Sequence, residues 1–330
     1  MKNLNKKCVA LYSGGLDSLL AILIVKSLGV EVYPLFVQTP FYNKEIDKLK
    51  EQLNKSGLAL ETARDDKAYI EMLLNPRFGY GKNLNPCIDC KAFFYKKAKE
   101  YADKIGASFI ITGEVLGQRP MSQRSYTVLR TIEKHAGLID LVLRPLSAKC
   151  LKETIMEKEG IVDRDKLYCI QGRTRKAQFE LAKTFGIEEF ESPAGGCLLT
   201  DTQFSARLKE MLDKKDELNS PVAIELLKIG RHFRVDGFKF IVSRNAEETK
   251  FLTDNFSDLP QIRCLNSPGG VGVFLKEPHI ETIITAAAIL KRYSKKAQNL
   301  IFKGSREFII DVKPMSDERL NSYRVGGDNA

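Results

Sequence analysis

The stretch Cys8-Val-Ala-Leu-Tyr-Ser-Gly-Gly-Leu-Asp-Ser18 constrains this chain most. An apolar run breaks at Ser13-Gly14-Gly15 and resumes at once as the helical pattern Leu19 to Leu28. Strand, tight turn and helix follow one another with no spare residues. Two glycines let the backbone take conformations that a side chain obstructs. The helix that follows turns its unpaired N–H groups and the positive end of its dipole toward whatever occupies the turn, which suits a phosphate. The loop lacks the lysine of the common ATPase loop. Instead, the hydroxyls of Ser13 and Ser18 beside the Asp17 carboxylate suit pyrophosphate together with a hard cation, Mg2+.

The full string Ser13-Gly-Gly-Leu-Asp-Ser18, twelve residues into the chain, resembles the loop of the PP-loop ATP pyrophosphatases. That resemblance implies cleavage of ATP between its α and β phosphates with transfer of AMP to a substrate oxygen. It gives Ser13, Gly14, Gly15, Asp17 and Ser18 the cradle for ATP, with Asp17 also in a catalytic role. The fold it implies is an α/β domain, a parallel sheet with helices on both faces. The strand-like run Glu31 to Thr39, a charged helix near 43–56 and a short strand near 58–63 fit that alternation, with Pro34 placing its strand at an edge or a strand start. Ligands in such sheets gather at the carboxyl ends of the strands.

Length and composition agree with two domains and a real core: 330 residues, 43% hydrophobic and 28% charged. No apolar run approaches the roughly 18 residues of a membrane span, so the expected location is the cytoplasm, with no membrane partner. Seven cysteines, an odd count without framework spacing, argue against a disulfide scaffold and leave thiols for metal binding or catalysis. Four of them, Cys8, Cys150, Cys169 and Cys264, read as structural or bystander residues in or beside apolar runs.

The remaining three carry the chemistry. A loop interrupted by Pro76, Gly79, Gly81 and Pro86 delivers Asn85-Pro-Cys-Ile-Asp-Cys90 to a Lys-rich helix over Asp89 to Ile105. There the dipole and nearby lysines are expected to favour thiolate at Cys90. Cys197 follows two glycines in Glu191-Ser-Pro-Ala-Gly-Gly-Cys197, where bare backbone leaves room around a sulfur. A basic segment with Arg173, Arg175 and Lys176 precedes it.

Thr112-Gly-Glu-Val-Leu-Gly-Gln118 with Ser122-Gln123, and then Leu143-Arg-Pro-Leu146, are similar to successive blocks of the tRNA 4-thiouridine synthetases, sulfur-transferring PP-loop enzymes. On that similarity Gly113 and Gln118 join the nucleotide site. The implied function is ATP-dependent tRNA thiolation, in which a uridine carbonyl oxygen is adenylated and replaced by sulfur from a sulfide or persulfide donor. Cys87, Cys90 and Cys197 resemble the three-cysteine set of cluster-dependent tRNA thiolases, which implies catalytic thiolates holding a [4Fe–4S] cluster. Structural zinc and a cluster-free persulfide–disulfide route are the alternatives for the same cysteines. For the chain as a whole, the alternatives are an amide-forming or nitrogen-transferring PP-loop ligase and an RNA-binding protein with a non-catalytic ATP loop.

The expected domains are residues 1–200, a charged helical connector at 201–225 ending at Ser220-Pro221, and a basic α+β domain at 226–330. That last part holds 17 Lys or Arg against 12 Asp or Glu. Its Arg231-His-Phe-Arg-Val-Asp-Gly237 start and Val242-Ser-Arg-Asn245 segment resemble the small RNA-binding domain of ribosome quality-control proteins, which implies tRNA as its partner.

Overall fold

The chain divides into two compact units, residues 1–197 and 198–330; the computed structural model describes residues 4–42, 45–190, 197–214 and 220–326 of them. The two glycines expected to bare the backbone ahead of Cys197 lie outside the described residues.

The first unit runs β1 (Lys7–Leu11), α1 (Leu16–Ser27), β2 (Glu31–Gln38), α2 (Ile46–Asn54), β3 (Glu61–Arg64), α3 (Asp66–Leu74), α4 (Cys87–Ile105), β4 (Phe109–Thr112), α5 (Tyr126–Ala136), β5 (Val142–Leu143), α6 (Ile155–Lys158) and α7 (Lys176–Thr184). All five strands are parallel, in the order β3-β2-β1-β4-β5. β1 sits at the centre with Cys8, Val9 and Ala10 buried, and a strand covered on both faces has no polar alternation to show. α1 is apolar nearly all round, burying Leu16, Leu19, Leu20, Ile22, Ile24 and Val25. Such a helix belongs inside, between a sheet and further helices.

Strand β2 lies between β1 and β3, not at an edge. Pro34 is accommodated because it registers with Ala10 of β1, whereas pairing with β3 begins one residue later, at Leu35 with Glu61. The strand order reverses at β1: β2 and β3 extend to one side, β4 and β5 to the other. The crevice between the carboxyl ends of β1 and β4, where Leu11 registers with Thr112, is therefore the switch point where an open α/β sheet receives ligands.

The second unit comprises α8 (Thr202–Leu212), α9 (Pro221–Leu227), β6 (Arg231–Val235), β7 (Phe238–Val242), α10 (Ala246–Asn255), β8 (Gln261–Leu265), β9 (Val271–Phe274), α11 (Ile280–Tyr293), β10 (Asn299–Lys303), β11 (Glu307–Ile310), α12 (Asp317–Tyr323) and β12 (Arg324–Val325). Seven antiparallel strands in the order β11-β10-β8-β9-β7-β6-β12 form one sheet. α11 buries Ile283, Ala286, Ala287, Ile289 and Leu290 in the core that also holds Phe233, Phe240, Phe274 and Phe302.

Strands β6 and β7 form a hairpin, turned by Asp236 and Gly237 at φ 48° and 85°, the backbone that an Asp-Gly pair adopts between twisted strands. One expectation is corrected here: the expected connector at 201–225 is part of the second unit. Glu210 of α8 pairs with Arg234 and with the buried Lys239, both at 2.5 Å, so its charges serve a tertiary contact.

Candidate functional site

Strand β1 ends at Leu11; the N–H of Tyr12, the next residue, donates to the Leu35 carbonyl at 2.9 Å, and the chain then turns through Ser13, Gly14 and Gly15 into α1. Gly14 has φ 78°, a conformation that favours glycine, whereas a Cβ on Gly15 would meet nothing nearer than Ser13 Oγ at 3.6 Å. Gly15 is the N-cap of α1 without a side-chain cap, so the first-turn N–H groups keep their capacity for a ligand. Ser18 Oγ donates to the Gly15 carbonyl at 2.8 Å, accepts from the Ser13 N–H at 3.2 Å and lies 3.2 Å from Ser13 Oγ. The loop is thus held open by its own hydroxyls.

Asp17 is presented from the first turn of α1 toward the far side of the crevice. Gln118 Nε2 donates to its Oδ2 at 3.0 Å. Gln118 arrives there from the loop after β4, where the Leu116 backbone bridges to Gln171 and accepts from the Gly172 N–H at 2.7 Å. Gly113 serves close packing: a Cβ there would lie 2.4 Å from the Asp17 carbonyl carbon and the Ser18 nitrogen, so only glycine lets β4 end against the first turn of α1. The structure therefore brings Ser13, Gly14, Gly15, Asp17, Ser18, Gly113 and Gln118 together around one crevice.

The charged members of the other two sequence blocks face inward. Arg144, just after β5, donates to Glu114 Oε2 at 3.0 Å, Glu133 Oε1 at 2.6 Å and Tyr95 Oη at 3.0 Å, all buried. Tyr95 in turn donates to Glu114, and Lys91 lies 3.5 Å from the other Glu114 oxygen. Burial alone would raise the Glu114 carboxyl, but Lys91, Arg144 and the Tyr95 hydroxyl hold it below the usual carboxylate range. This network ties β4, β5, α4 and α5 into the floor of the site.

Cys87 opens α4 and Cys90 follows one turn later on the same face. Asp89 between them is buried and accepts from the N–H groups of Arg77 and Phe78 at 3.1 and 3.0 Å, which folds the preceding loop onto the helix start. Asn85 Nδ2 contacts Cys87 Sγ at 3.1 Å and Tyr69 Oη donates to Cys90 Sγ at 3.3 Å. The expectation of a ready thiolate at Cys90 is corrected: burial pushes that thiol up to about 12, outweighing the Tyr69 hydrogen bond and the Lys91 charge. Desolvation penalises the anion more than a helix dipole and one lysine favour it.

Cys197 reaches the same neighbourhood from the far end of the unit. Its backbone bridges to Tyr42, and its side chain lies near enough to Tyr42, Tyr69 and Cys90 to interact with each electrostatically. Tyr42 Oη also reaches the Ser13 carbonyl at 3.4 Å, joining the cysteine group to the loop after β1. Among the described residues, no three His, Cys, Asp or Glu side chains stand in an arrangement that could hold a metal ion as they are. The donor set itself, three soft sulfurs and no added carboxylate or imidazole, is one that suits iron–sulfur chemistry.

Cys150 and Cys169, read from the sequence as structural or bystander residues, form a disulfide across 19 residues of sequence. Beside it, the Lys149 N–H donates to the Tyr168 carbonyl and the Ile170 N–H to the Leu146 carbonyl. Residues 146–150 and 168–170 are brought together by these tertiary contacts and by the Ser147 hydroxyl donating to the Ile170 carbonyl at 2.6 Å, which no spacing in the sequence announces. Arg175 was visible as part of a basic segment but not as a site residue; its Nη2 lies 3.7 Å from Asp17 Oδ1.

No helix among the described residues is long and apolar enough to cross a membrane. Residues 4–163 match the family described as thiamine biosynthesis protein (ThiI), and residues 230–324 match the NFACT protein RNA binding domain. A probable tRNA sulfurtransferase of Thermococcus kodakarensis is 34% identical over 160 residues, covering 48% of this chain and 39% of that protein. One of Methanosarcina mazei is 33% identical over 122 residues, covering 34% and 29%. The tRNA-specific 2-thiouridylase MnmA of Coxiella burnetii is 32% identical over 114 residues, covering 31% and 32%. The chain thus spans well under half the length of these relatives. A solved 4-thiouridine synthetase–RNA complex with bound ATP overlaps 67% of this chain and 53% of its own at 20% identity and a TM-score of 0.35, too loosely to bear on function. Residues 4–163 are thus similar to the ThiI family and residues 230–324 to the NFACT RNA-binding domain.

Proposed function

We propose that this protein is an ATP-dependent tRNA sulfurtransferase. The observation that carries the reading is the joining of two kinds of chemistry by Tyr42: its hydroxyl contacts the Ser13 carbonyl of the phosphate-type loop, and its backbone bridges to Cys197. Ser13, Gly14, Gly15 and Ser18 would cradle the pyrophosphate of ATP, Asp17 would hold Mg2+, and Gly113 and Gln118 would shape the far wall. A uridine carbonyl oxygen would attack the α-phosphorus, pyrophosphate would leave with the electron pair of the broken bond, and a sulfur nucleophile would then replace AMP at the base carbon. Loop and helix dipole act on the leaving anion, so they stabilise the charge as it develops.

Cys87, Cys90 and Cys197 are the candidate sulfur-handling residues. As ligands they would hold a [4Fe–4S] cluster, which supplies when bound a site for inorganic sulfide. The protein's own contribution is the enclosure: Tyr69 and Asn85 orient two of the sulfurs, and Asp89 fixes the loop that covers them. The tRNA would be held by the second unit, and the work would be done in the cytoplasm.

The test is pyrophosphate release from ATP by the full chain, prepared without oxygen, with and without tRNA, followed by mass spectrometry of the tRNA nucleosides after addition of sulfide. A thiolated uridine together with tRNA-dependent pyrophosphate release is expected. Pyrophosphate release with an amidated or unaltered nucleoside would overturn the sulfur-transfer reading.

A further inference from the structure

Five polar side chains among the described residues of the first unit hold buried atoms without a hydrogen-bond partner, Glu114 and Gln123 among them, and two of the five, Asp17 and Arg175, flank the same crevice. Asp17 Oδ1 has none, Arg175 has none at Nε or Nη1, and Gln178 has none at either amide atom. Buried polar atoms in folded proteins are nearly always hydrogen-bonded, so a charged group left this way marks a position meant for a ligand. Arg175 and Gln178 stand one turn apart at the start of α7, which packs on α1. The guanidinium lies 5.4 Å from the Phe179 ring and 3.7 Å from Asp17 Oδ1, close enough to neutralise the carboxylate and too far for a hydrogen bond to it.

We propose that Arg175 is a phosphate-binding residue of the ATP site, the cationic wall opposite the loop after β1. The inference rests on the reading of that loop as a pyrophosphate cradle and adds to it a residue from a separate element. Without nucleotide the guanidinium sits against Asp17. With ATP and its cation present, Asp17 turns to the cation, and the Arg175 N–H groups turn to the β- and γ-phosphate oxygens. When the bond from the α-phosphorus to the bridging oxygen breaks, its electron pair stays on pyrophosphate, so negative charge grows where Arg175 points. A planar guanidinium with two free N–H groups is suited to a phosphate edge in a way that a lysine is not. Gln178, fully buried one turn along, offers a neutral donor and acceptor on the same face.

The test compares wild type, Arg175→Ala and Arg175→Lys as full chains, titrated separately with Mg2+-pyrophosphate and with AMP, with thermal unfolding as the fold control. Arg175→Ala is expected to weaken pyrophosphate binding by about tenfold or more, as loss of charge-assisted hydrogen bonds does, while AMP binding changes less than about threefold. Arg175→Lys is expected to restore part of the loss, because it returns charge without the fork. Unchanged pyrophosphate affinity in Arg175→Ala overturns the proposal, and so does an equal loss for AMP and pyrophosphate, which a merely structural pairing with Asp17 would give. A wild-type protein that binds neither ligand overturns the cradle reading itself, a result distinct from both.

Discussion

Asp17 shows how a single side chain can carry function without carrying the fold. It sits in the first turn of α1 with part of its surface open, one oxygen bonded to Gln118 and the other without a hydrogen bond. Asp17→Asn keeps the shape and removes the charge a cation needs. Circular dichroism and melting temperature are expected to stay near wild type while pyrophosphate release falls below about 1% of it, the order expected when a metal ligand is lost. Near-normal release would mean the loop is not the ATP site. The loop was legible in the sequence because glycine and hydroxyl residues at fixed offsets have local causes. Arg175 was not, since nothing local says that a basic residue more than 150 positions later will point at Asp17.

His232 provides a pH prediction at the same scale. It is buried in β6, with Nε2 against the Ile229 carbonyl at 2.8 Å and no partner at Nδ1. Burial, reinforced by Lys239, Arg207 and Arg244, holds its pKa well below the usual histidine value. The unfolded chain binds a proton below about pH 6.5 and the folded chain does not, so this contribution to stability is present above that pH and is lost as the pH falls. The expected loss is about 1.4 kcal/mol per pH unit below 6.5 until the folded group titrates. Denaturant unfolding of wild type and His232→Gln from pH 7.5 to 5.5 measures it, and equal slopes in the two proteins would refute it.

Among the elements, α4 does the most to organise the site. Its start presents Cys87 and Cys90, its middle supplies Tyr95 to the buried network, and Gly106 ends it in a left-handed turn at φ 70°. The start of this helix was placed two residues late from the sequence, because Pro86 can cap a helix from which its own missing N–H subtracts nothing. The network was missed altogether. Thr112-Gly-Glu114 and Leu143-Arg-Pro145 stood out in the sequence only as successive blocks of a family resemblance, and their charged members face each other. Glu114→Gln therefore tests stability. It takes from the buried Arg144 one of its two carboxylates, leaving Glu133, and takes from Lys91 the charge beside it, and the expected cost is about 1–3 kcal/mol, read from the denaturant midpoint. A change below about 1 kcal/mol would show that the interior is open to water there, since exposed ion pairs are worth no more than that.

At the scale of the whole molecule, the sequence separated an α/β unit from a basic α+β unit, and it misplaced the join. Composition marked Ser220-Pro221, but a charged helix does not announce whether its charges face solvent or a partner, and Glu210 of α8 faces Arg234 and Lys239. Each unit encloses a hydrophobic core of its own, so a chain ending at Cys197 keeps the whole parallel sheet and the loop after β1. It also discards the residues matched to an RNA-binding domain, where lysine and arginine exceed acidic residues by 17 to 12 over 226–330. The shortened chain is expected to bind ATP as the full chain does and to bind tRNA more weakly. Its affinity for tRNA should also depend less steeply on salt between about 50 and 200 mM, because each lost phosphate contact lowers the logarithmic slope by roughly 0.7 to 0.9. Measuring both ligands at both salt concentrations separates the possibilities. Equal tRNA affinity and an equal slope would mean that the first unit grips the RNA alone, and weakened ATP binding would mean that the two units are coupled through the nucleotide site.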